Sequence, residues 1–286
     1  MKSDMSKQEK NIWEKLENLP REFLYALLLI AFLVPMINPM GLPLPVTPEV
    51  KKWYDTIEAL PSGAAIIIDQ GYSGGGEPEC GPFAVAVYHH IFRKGGLRVI
   101  GVATTQEGPL LWDKAMAEVN PEKYGRKYGV DYIMLGYFAG VETAMAALGK
   151  DLRALTSTDY KGASLDQYPV MQGIKGATTF NLLICYTTGG DQSEGWVRQW
   201  YTPYKTPYLC NVLALMMPTM LPYMKAGQIV SLTSGAQAGQ MESLVKVPAR
   251  GIAGADVMTF TEILVSAFVV VGNIAYFGRR ASKKKA

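Results

Sequence analysis

From Val257 to Phe277 the chain runs 21 residues with one charge, Glu262, and one amide, Asn273. A helix of about 20 apolar residues matches the hydrocarbon thickness of a bilayer. This stretch is therefore expected to cross a membrane. A second uncharged stretch opens with twelve strongly apolar residues, Phe23–Val34. Twelve are short for a span, but continuation through Pro35, acting as a kink, to Met40 or Gly41 supplies the length. The expectation is two transmembrane helices, 23–41 and 257–277. A cleavable secretory signal would want a short basic start and a small-x-small site. Here 22 residues precede the run, five basic and five acidic, and the run ends Pro-Met-Ile-Asn-Pro-Met. An uncleaved anchor fits better, with a buried core helix as the plainer alternative.

Basic residues near the spans set orientation. Lys2, Lys7, Lys10, Lys15 and Arg21 precede the first stretch; Arg279, Arg280, Lys283, Lys284 and Lys285 follow the second with no acid. Only Lys51, Lys52, Lys246 and Arg250 lie near the membrane on the inner side of the loop. Both tails, 1–22 and 278–286, are thus expected in the cytoplasm and residues 42–256 outside it. The region 42–256 holds 18 basic and 19 acidic residues, so the chain's net charge of +3 belongs to the tails. A general nucleic-acid-binding surface is excluded on that balance. Residues 8–19 place Ile12, Trp13, Leu16 and Leu19 on one helical face. They read as an interfacial helix, with a frayed soluble tail as the alternative.

Between the spans, short apolar runs alternate with helical patterns. The strands are expected at Ala64–Asp69, Leu97–Ala103, Asp131–Gly136, Phe180–Tyr186, Tyr208–Leu213 and Gln228–Leu232. The helices are expected at Cys80–Lys94, Pro109–Tyr128, Val141–Leu155, Ser193–Tyr201, Pro218–Lys225 and Ala236–Val245. Continuous apolar strands between amphipathic helices indicate a mostly parallel sheet covered on both faces. Right-handed crossovers make it a doubly wound, flavodoxin-like or Rossmann-like α/β layer. Asp151–Gly176 is the least regular part and is expected to pass over the sheet's end.

In such sheets ligands bind beyond the carboxyl ends of the strands. The candidate ligand-binding residues there are Asp69, Gly71, Gly74, Gly76, Glu77, Thr104, Thr105, Gly189, Gly190, Thr233 and Ser234, of types that let backbone N–H groups approach a ligand. The spacing Gly71, Gly74, Gly76 is not Gly-x-Gly-x-x-Gly, and no Walker lysine follows. Asp69, Glu77 and Glu79 would repel a phosphate at that helix start. A flexible turn with acids in the first helical turn is the plainer reading, and a cation or polar neutral ligand the next. Gly71-Tyr72-Ser73-Gly74-Gly75 matches Gly-x-Ser-x-Gly formally, but the helix starts too late and no histidine follows His90.

His89 and His90 are the chain's two histidines. Adjacent helical positions do not share a face, so helix-surface histidines are expected rather than metal ligands. Cys80 lies near a helix start, where a thiolate is favoured. Cys185 and Cys210 lie in strands, buried unless neighbouring strands pair them. No cofactor and no metal are expected. Glu262 in the second span either snorkels to the interface or contacts Asn38 or another subunit, and Asn273 suits an interhelical hydrogen bond. Met216, Met217, Met220 and Met224 make either core or an adaptable apolar surface.

The stretches Leu60-Pro61-Ser62-Gly63, Tyr88-His89-His90-Ile91-Phe92-Arg93-Lys94, Gly129–Tyr137 and Val271–Phe277 resemble those of a family of uncharacterised prokaryotic membrane-anchored proteins. The resemblance covers most of the chain. It implies an α/β domain between two membrane anchors, and it implies no catalytic residues.

Three functions follow. The first is a membrane-anchored structural or assembly component presenting an extracytoplasmic α/β docking domain, with the bilayer and further copies or other membrane subunits as partners. The second is a ligand-sensing or binding ectodomain using the Gly/Thr-rich strand ends. The third is an enzyme with Asp69 or Glu77 as acid–base groups, which needs a raised pKa in a closed pocket.

Overall fold

The computed structural model describes residues 19–285, with side chains as far as Arg280. The interfacial helix expected at 8–19 lies outside the described residues except for Leu19, as do Lys2, Lys7, Lys10 and Lys15. Pro43–Ile252 forms one compact unit, and the segments before and after it form a second.

In chain order the elements are α1 (Arg21–Ile37), α2 (Pro48–Glu58), β1 (Ala65–Gly71), α3 (Glu77–Lys94), β2 (Arg98–Ala103), α4 (Gly108–Val119), β3 (Tyr132–Tyr137), α5 (Glu142–Lys150), β4 (Leu182–Thr187), α6 (Gly190–Trp196), β5 (Tyr208–Val212), α7 (Met217–Lys225), β6 (Ser231–Ser234), α8 (Ala238–Val245) and α9 (Arg250–Lys285). Short 3-10 and helical turns fill several connections. The six strands form one sheet in the order β3-β2-β1-β4-β5-β6, with every neighbouring pair parallel. That is the doubly wound, Rossmann-like order, whose topological switch point lies between β1 and β4.

The sequence of β1 explains its place at the centre. All seven of its residues, Ala65-Ile66-Ile67-Ile68-Asp69-Gln70-Gly71, are buried. A strand buried on both faces must be apolar without alternation, and each buried isoleucine contributes about 1.5–3 kcal/mol. Ile66 and Ile68 face one core, with Trp53 of α2, Phe83 and Tyr88 of α3, Trp112 of α4 and Met241 of α8. Ala65 and Ile67 face the other, with Met145 and Leu148 of α5, Trp196 of α6 and Met220 of α7.

The helix α3 is buried continuously from Cys80 to Phe92, which overturns the helix-surface expectation for the histidines. His89 is 5% exposed and His90 is fully buried, because α2, α4 and α8 pack around α3. His90 Nε2 meets Glu58 at 2.7 Å and its ring stacks on Tyr54, while His89 Nδ1 meets the Tyr124 hydroxyl at 2.9 Å. Burial lowers the pKa of both. Met216 and Met220 are likewise core residues.

Among the element bounds that differ from expectation, two differ for local reasons and one because of strand pairing. The α4 helix stops at Val119 rather than Tyr128, because Asn120 adopts a left-handed conformation ahead of Pro121. The helix expected at 141–155 breaks at Asp151, which turns extended and caps a new short turn with its carboxylate. The sixth strand is Ser231–Ser234; Thr233 and Ser234 are polar and read as loop, but they pair with Asn211 and Val212. The Asp151–Gly176 excursion runs along the β3 edge and then reaches the amino end of the sheet, where the Arg98 guanidinium at the start of β2 donates to Gln172 O at 2.7 Å. The Tyr160 N–H donates to Met134 O at 3.1 Å, and Leu165, Val170, Met171 and Ile174 fill the second core. An otherwise open strand edge is thereby paired.

The domain closes on the first turn of α9. Glu242, 1% exposed, accepts N–H bonds from Ala249 at 3.0 Å, Gly251 at 2.7 Å and Ile252 at 2.7 Å. These are orphan donors at a helix N-terminus, where a carboxylate is favourable. Burial raises the Glu242 pKa against these three donors.

In the second unit, α1 spans 17 residues, about 26 Å at 1.5 Å per residue. It ends at Ile37, short of the expected Met40 or Gly41, where Asn38 leaves helical geometry. The helix α9 is longer than expected at both ends. Its segment Arg250–Arg280, 31 residues, is long and apolar enough to cross a membrane, and none of its most apolar 18-residue window is buried. Met258, Ile263, Val265, Val269, Val270, Ile274, Tyr276 and Phe277 are all exposed. Asp256 is fully buried and accepts N–H bonds from Met40, Gly41 and Leu42 at 2.7, 2.9 and 3.0 Å.

Candidate functional site

The switch point brings the ends of β1, β2 and β4 together. Asp69 is the fifth of the seven residues of β1 and is fully buried. Its carboxylate accepts from Trp196 Nε1 at 2.7 Å, from the Thr104 hydroxyl at 2.8 Å and from the Thr104 N–H at 3.0 Å. Cys185 Sγ lies 3.6 Å away. Burial pushes the Asp69 carboxyl up to about 6 against the pull of those donors. An enclosed carboxylate with three donors on it orients β1, β2 and α6 around one point.

The glycine loop after β1 closes over that point. A Cβ at Gly71 would stand 2.9 Å from Thr104 Oγ1 and 3.2 Å from Tyr186 O, and one at Gly76 only 2.1 Å from Thr188 Cγ2. Those glycines let the β1 and β4 loops touch. The Ser73 N–H donates to Thr188 Oγ1 at 3.3 Å, and the Thr105 hydroxyl donates to Tyr72 O at 3.2 Å. The Gly74 N–H donates to the Glu107 carboxylate. Gly74 is exposed on the rim and Gly76 is buried.

Glu77, first residue of α3, faces α4 and the start of α9. Its Oε1 accepts from Lys114 Nζ at 2.8 Å and from Arg250 at 2.9 Å, and Arg250 also pairs with Glu118 at 2.9 Å. Burial alone would raise the Glu77 carboxyl; Lys114 and Arg250 outweigh it and hold it below its ordinary value.

The remaining expected residues spread along the rim. The Gly189 N–H donates to Thr187 Oγ1 at 3.0 Å, and Gly190 opens α6. Thr233 Oγ1 accepts from Asn211 Nδ2 at 3.1 Å. Ser234 and Gln237 cap each other's backbone in a reciprocal capping box. The expected polar groups of the apolar helices lie in the other unit. Asn38 and Glu262 are exposed, and Asn273 Nδ2 donates to Val269 O one turn back at 2.9 Å.

The cysteines are all buried and free. Burial pushes Cys80 up to about 12, with Glu79 adding to it, against the pull of the helix start. Cys185 and Cys210 are register partners on β4 and β5. Among the described residues no group of three or more His, Cys, Asp or Glu is arranged to hold a metal ion.

Sequence reading missed a buried polar row. Gln70, Tyr186, Asn211 and Thr233 are register partners across four strands. Gln70 accepts from the Tyr88 hydroxyl at 2.7 Å and donates to Tyr72 at 2.8 Å. The Tyr186 hydroxyl and Asn211 Oδ1 have no partner among the described residues. A glutamine and an asparagine inside otherwise apolar strands were the available signal. Arg250, Glu118, Glu242 and Asp256 carried no motif, since their partners are distant in sequence.

Comparison with protein-family models, with curated proteins and with solved structures finds no match.

Proposed function

We propose that the chain is a membrane-anchored assembly component, with the Pro43–Ile252 domain held outside the cytoplasm as a docking body. The single observation that carries this reading is α9, whose 31-residue apolar segment leaves its most hydrophobic window unburied. An apolar surface of that length is costly in water and suits lipid. The exposed Phe23, Leu29, Ile30, Phe32, Leu33 and Ile37 on α1 support a second anchor. Basic residues outside both apolar stretches favour cytoplasmic tails.

The docking role is supported by how the strand ends are used. Asp69 is enclosed and Glu77 is paired, so neither carboxylate stands free for acid–base chemistry, and Ser73 and Thr188 bridge the crevice. On the same rim, Leu110 after β2 and Leu215 after β5 are 72% and 77% exposed. Exposed leucines flanking a filled crevice fit a contact with another copy of the chain better than a small-molecule site. The ligand-sensing alternative requires the Ser73–Thr188 contact to open.

The test is the mass of the particle extracted in mild nonionic detergent, measured by light scattering with the detergent subtracted. A mass of two or more chains, reduced to one by Leu110→Asp with Leu215→Asp, supports assembly through this rim. A single-chain mass for the unmodified protein contradicts it.

A further inference from the structure

Three polar side chains of α9 stand on one stripe of an otherwise apolar stretch of helix. Glu262, Ser266 and Asn273 are all exposed, and at about 100° per residue they fall within about 40° of one another around the helix axis. Phe260, Thr261, Leu264 and Phe268 are partly buried and Ala275 is fully buried. Those five residues lie on the opposite side of the helix, so the polar stripe is turned away from the covered face of α9.

A carboxylate facing hydrocarbon is costly, and in membranes such a group is paired or turned to water. Among the described residues the Glu262 carboxylate has no hydrogen bond and no ion pair, with Asn38 or with any other group. Asn273 Nδ2 donates to Val269 O, which leaves the amide oxygen and one N–H to spare. The chain itself has no cation to bring to Glu262. Between Arg250 and Arg279 the charged residues are Asp256 and Glu262, and between Glu22 and Glu49 there is none. A second copy lying parallel would set Glu262 against Glu262 or against the uncharged α1, and like charges repel. Charge complementarity therefore selects a different protein.

We propose that this stripe docks a transmembrane helix of another protein, one carrying a lysine or arginine at the depth of Glu262 and a hydrogen-bonding side chain at the depth of Asn273. The inference rests on α9 spanning the membrane, and it names the chemistry of that span's partner. Glu262 and Asn273 are separated by about 16 Å at 1.5 Å per residue, so the partner's two polar residues stand about three helical turns apart on one face. Ser266, small and between them, lets the two backbones approach closely. Glu262 lies one to two turns inside the apolar stretch that begins at Val257, a depth that a long lysine or arginine stem reaches from the interface.

The full chain, labelled with a donor fluorophore through Arg280→Cys, is reconstituted in phosphatidylcholine vesicles to test this. The probe is a leucine–alanine helix of about 23 residues with one lysine about two turns from one end and an acceptor fluorophore at the other. The expected result is saturable energy transfer, with an affinity about tenfold above that for the same peptide with leucine in place of its lysine. E262Q is expected to abolish that preference while still resisting alkaline carbonate extraction, and L110D/L215D to keep it. Equal transfer to both peptides by a carbonate-resistant chain overturns the proposal alone. So does an unchanged preference in E262Q. Transfer between donor- and acceptor-labelled copies of the chain that E262Q removes makes a second copy the occupant and overturns it as well. Release of the unmodified chain by carbonate overturns the proposal together with the membrane anchor on which it rests.

Discussion

The Asp256 carboxylate accepts the Gly41 N–H at 2.9 Å across 215 residues of sequence. With Met40 and Leu42 it gathers three consecutive N–H groups onto one fully buried acid. The chain leaving α1 is thus fixed near the amino end of α9 through three backbone N–H groups. Removing that acceptor orphans three donors, at about 1–3 kcal/mol for each that stays buried. Asp256→Ala is expected to open the 38–47 segment to limited proteolysis and to lower the melting temperature in detergent. Asp256→Asn, which keeps one acceptor oxygen, is expected to lie between it and the unmodified protein.

Asp69 makes stability depend on pH with a defined sign. Its folded pKa, about 6, lies above its ordinary 3.8 because burial disfavours the charge. The folded state therefore holds the proton more tightly than the unfolded chain. This contribution is fully present below the unfolded value and is lost as pH rises through about 6, amounting to about 3 kcal/mol at 1.36 kcal/mol per unit. Denaturant unfolding of the wild type and Asp69→Asn between pH 4.5 and 7.5 measures it. The stability of Asp69→Asn relative to wild type is expected to rise across that window; parallel curves would show that Asp69 titrates normally.

The touching loops at the switch point predict a coupled pair. A methyl at Gly76 would meet Thr188 Cγ2 at 2.1 Å, and overpacking of this kind costs about 1–3 kcal/mol. Gly76→Ala is expected to destabilise the domain by that amount, and Thr188→Ser in the same chain to recover part of it. A double-mutant cycle on melting data gives the coupling energy. Strict additivity would mean that the two loops do not meet.

Much of the fold was legible because its signals are local. The isoleucine run of β1 reads as a strand buried on both faces, and Gly95, with φ of 68°, marks the end of α3. The doubly wound class follows from alternation alone. What was not legible depends on pairing over long range. Thr233 and Ser234 look like loop until Asn211 and Val212 are beside them. His89 and His90 look like surface until α2 and α4 cover α3. At the candidate site, Asp69 and Glu77 stood out as acids near a glycine loop. The donors they engage, the Trp196 indole and the Arg250 guanidinium, lie 127 and 173 residues away, so no spacing announces that both are already engaged. Asp256 is hidden for the same reason.

The proposed globule outside the cytoplasm, tethered by apolar helices, fixes which side of the membrane each part of the chain faces. Single cysteines introduced as Lys225→Cys and Arg280→Cys report it directly, because the three native cysteines are buried. Spheroplasts of an expressing bacterium are treated with a membrane-impermeant maleimide before and after lysis. Labelling of the position-225 variant in intact spheroplasts, with the position-280 variant labelled only after lysis, is the predicted result. Labelling at 280 with protection at 225, or recovery of the unmodified chain in the soluble fraction without detergent, would contradict it.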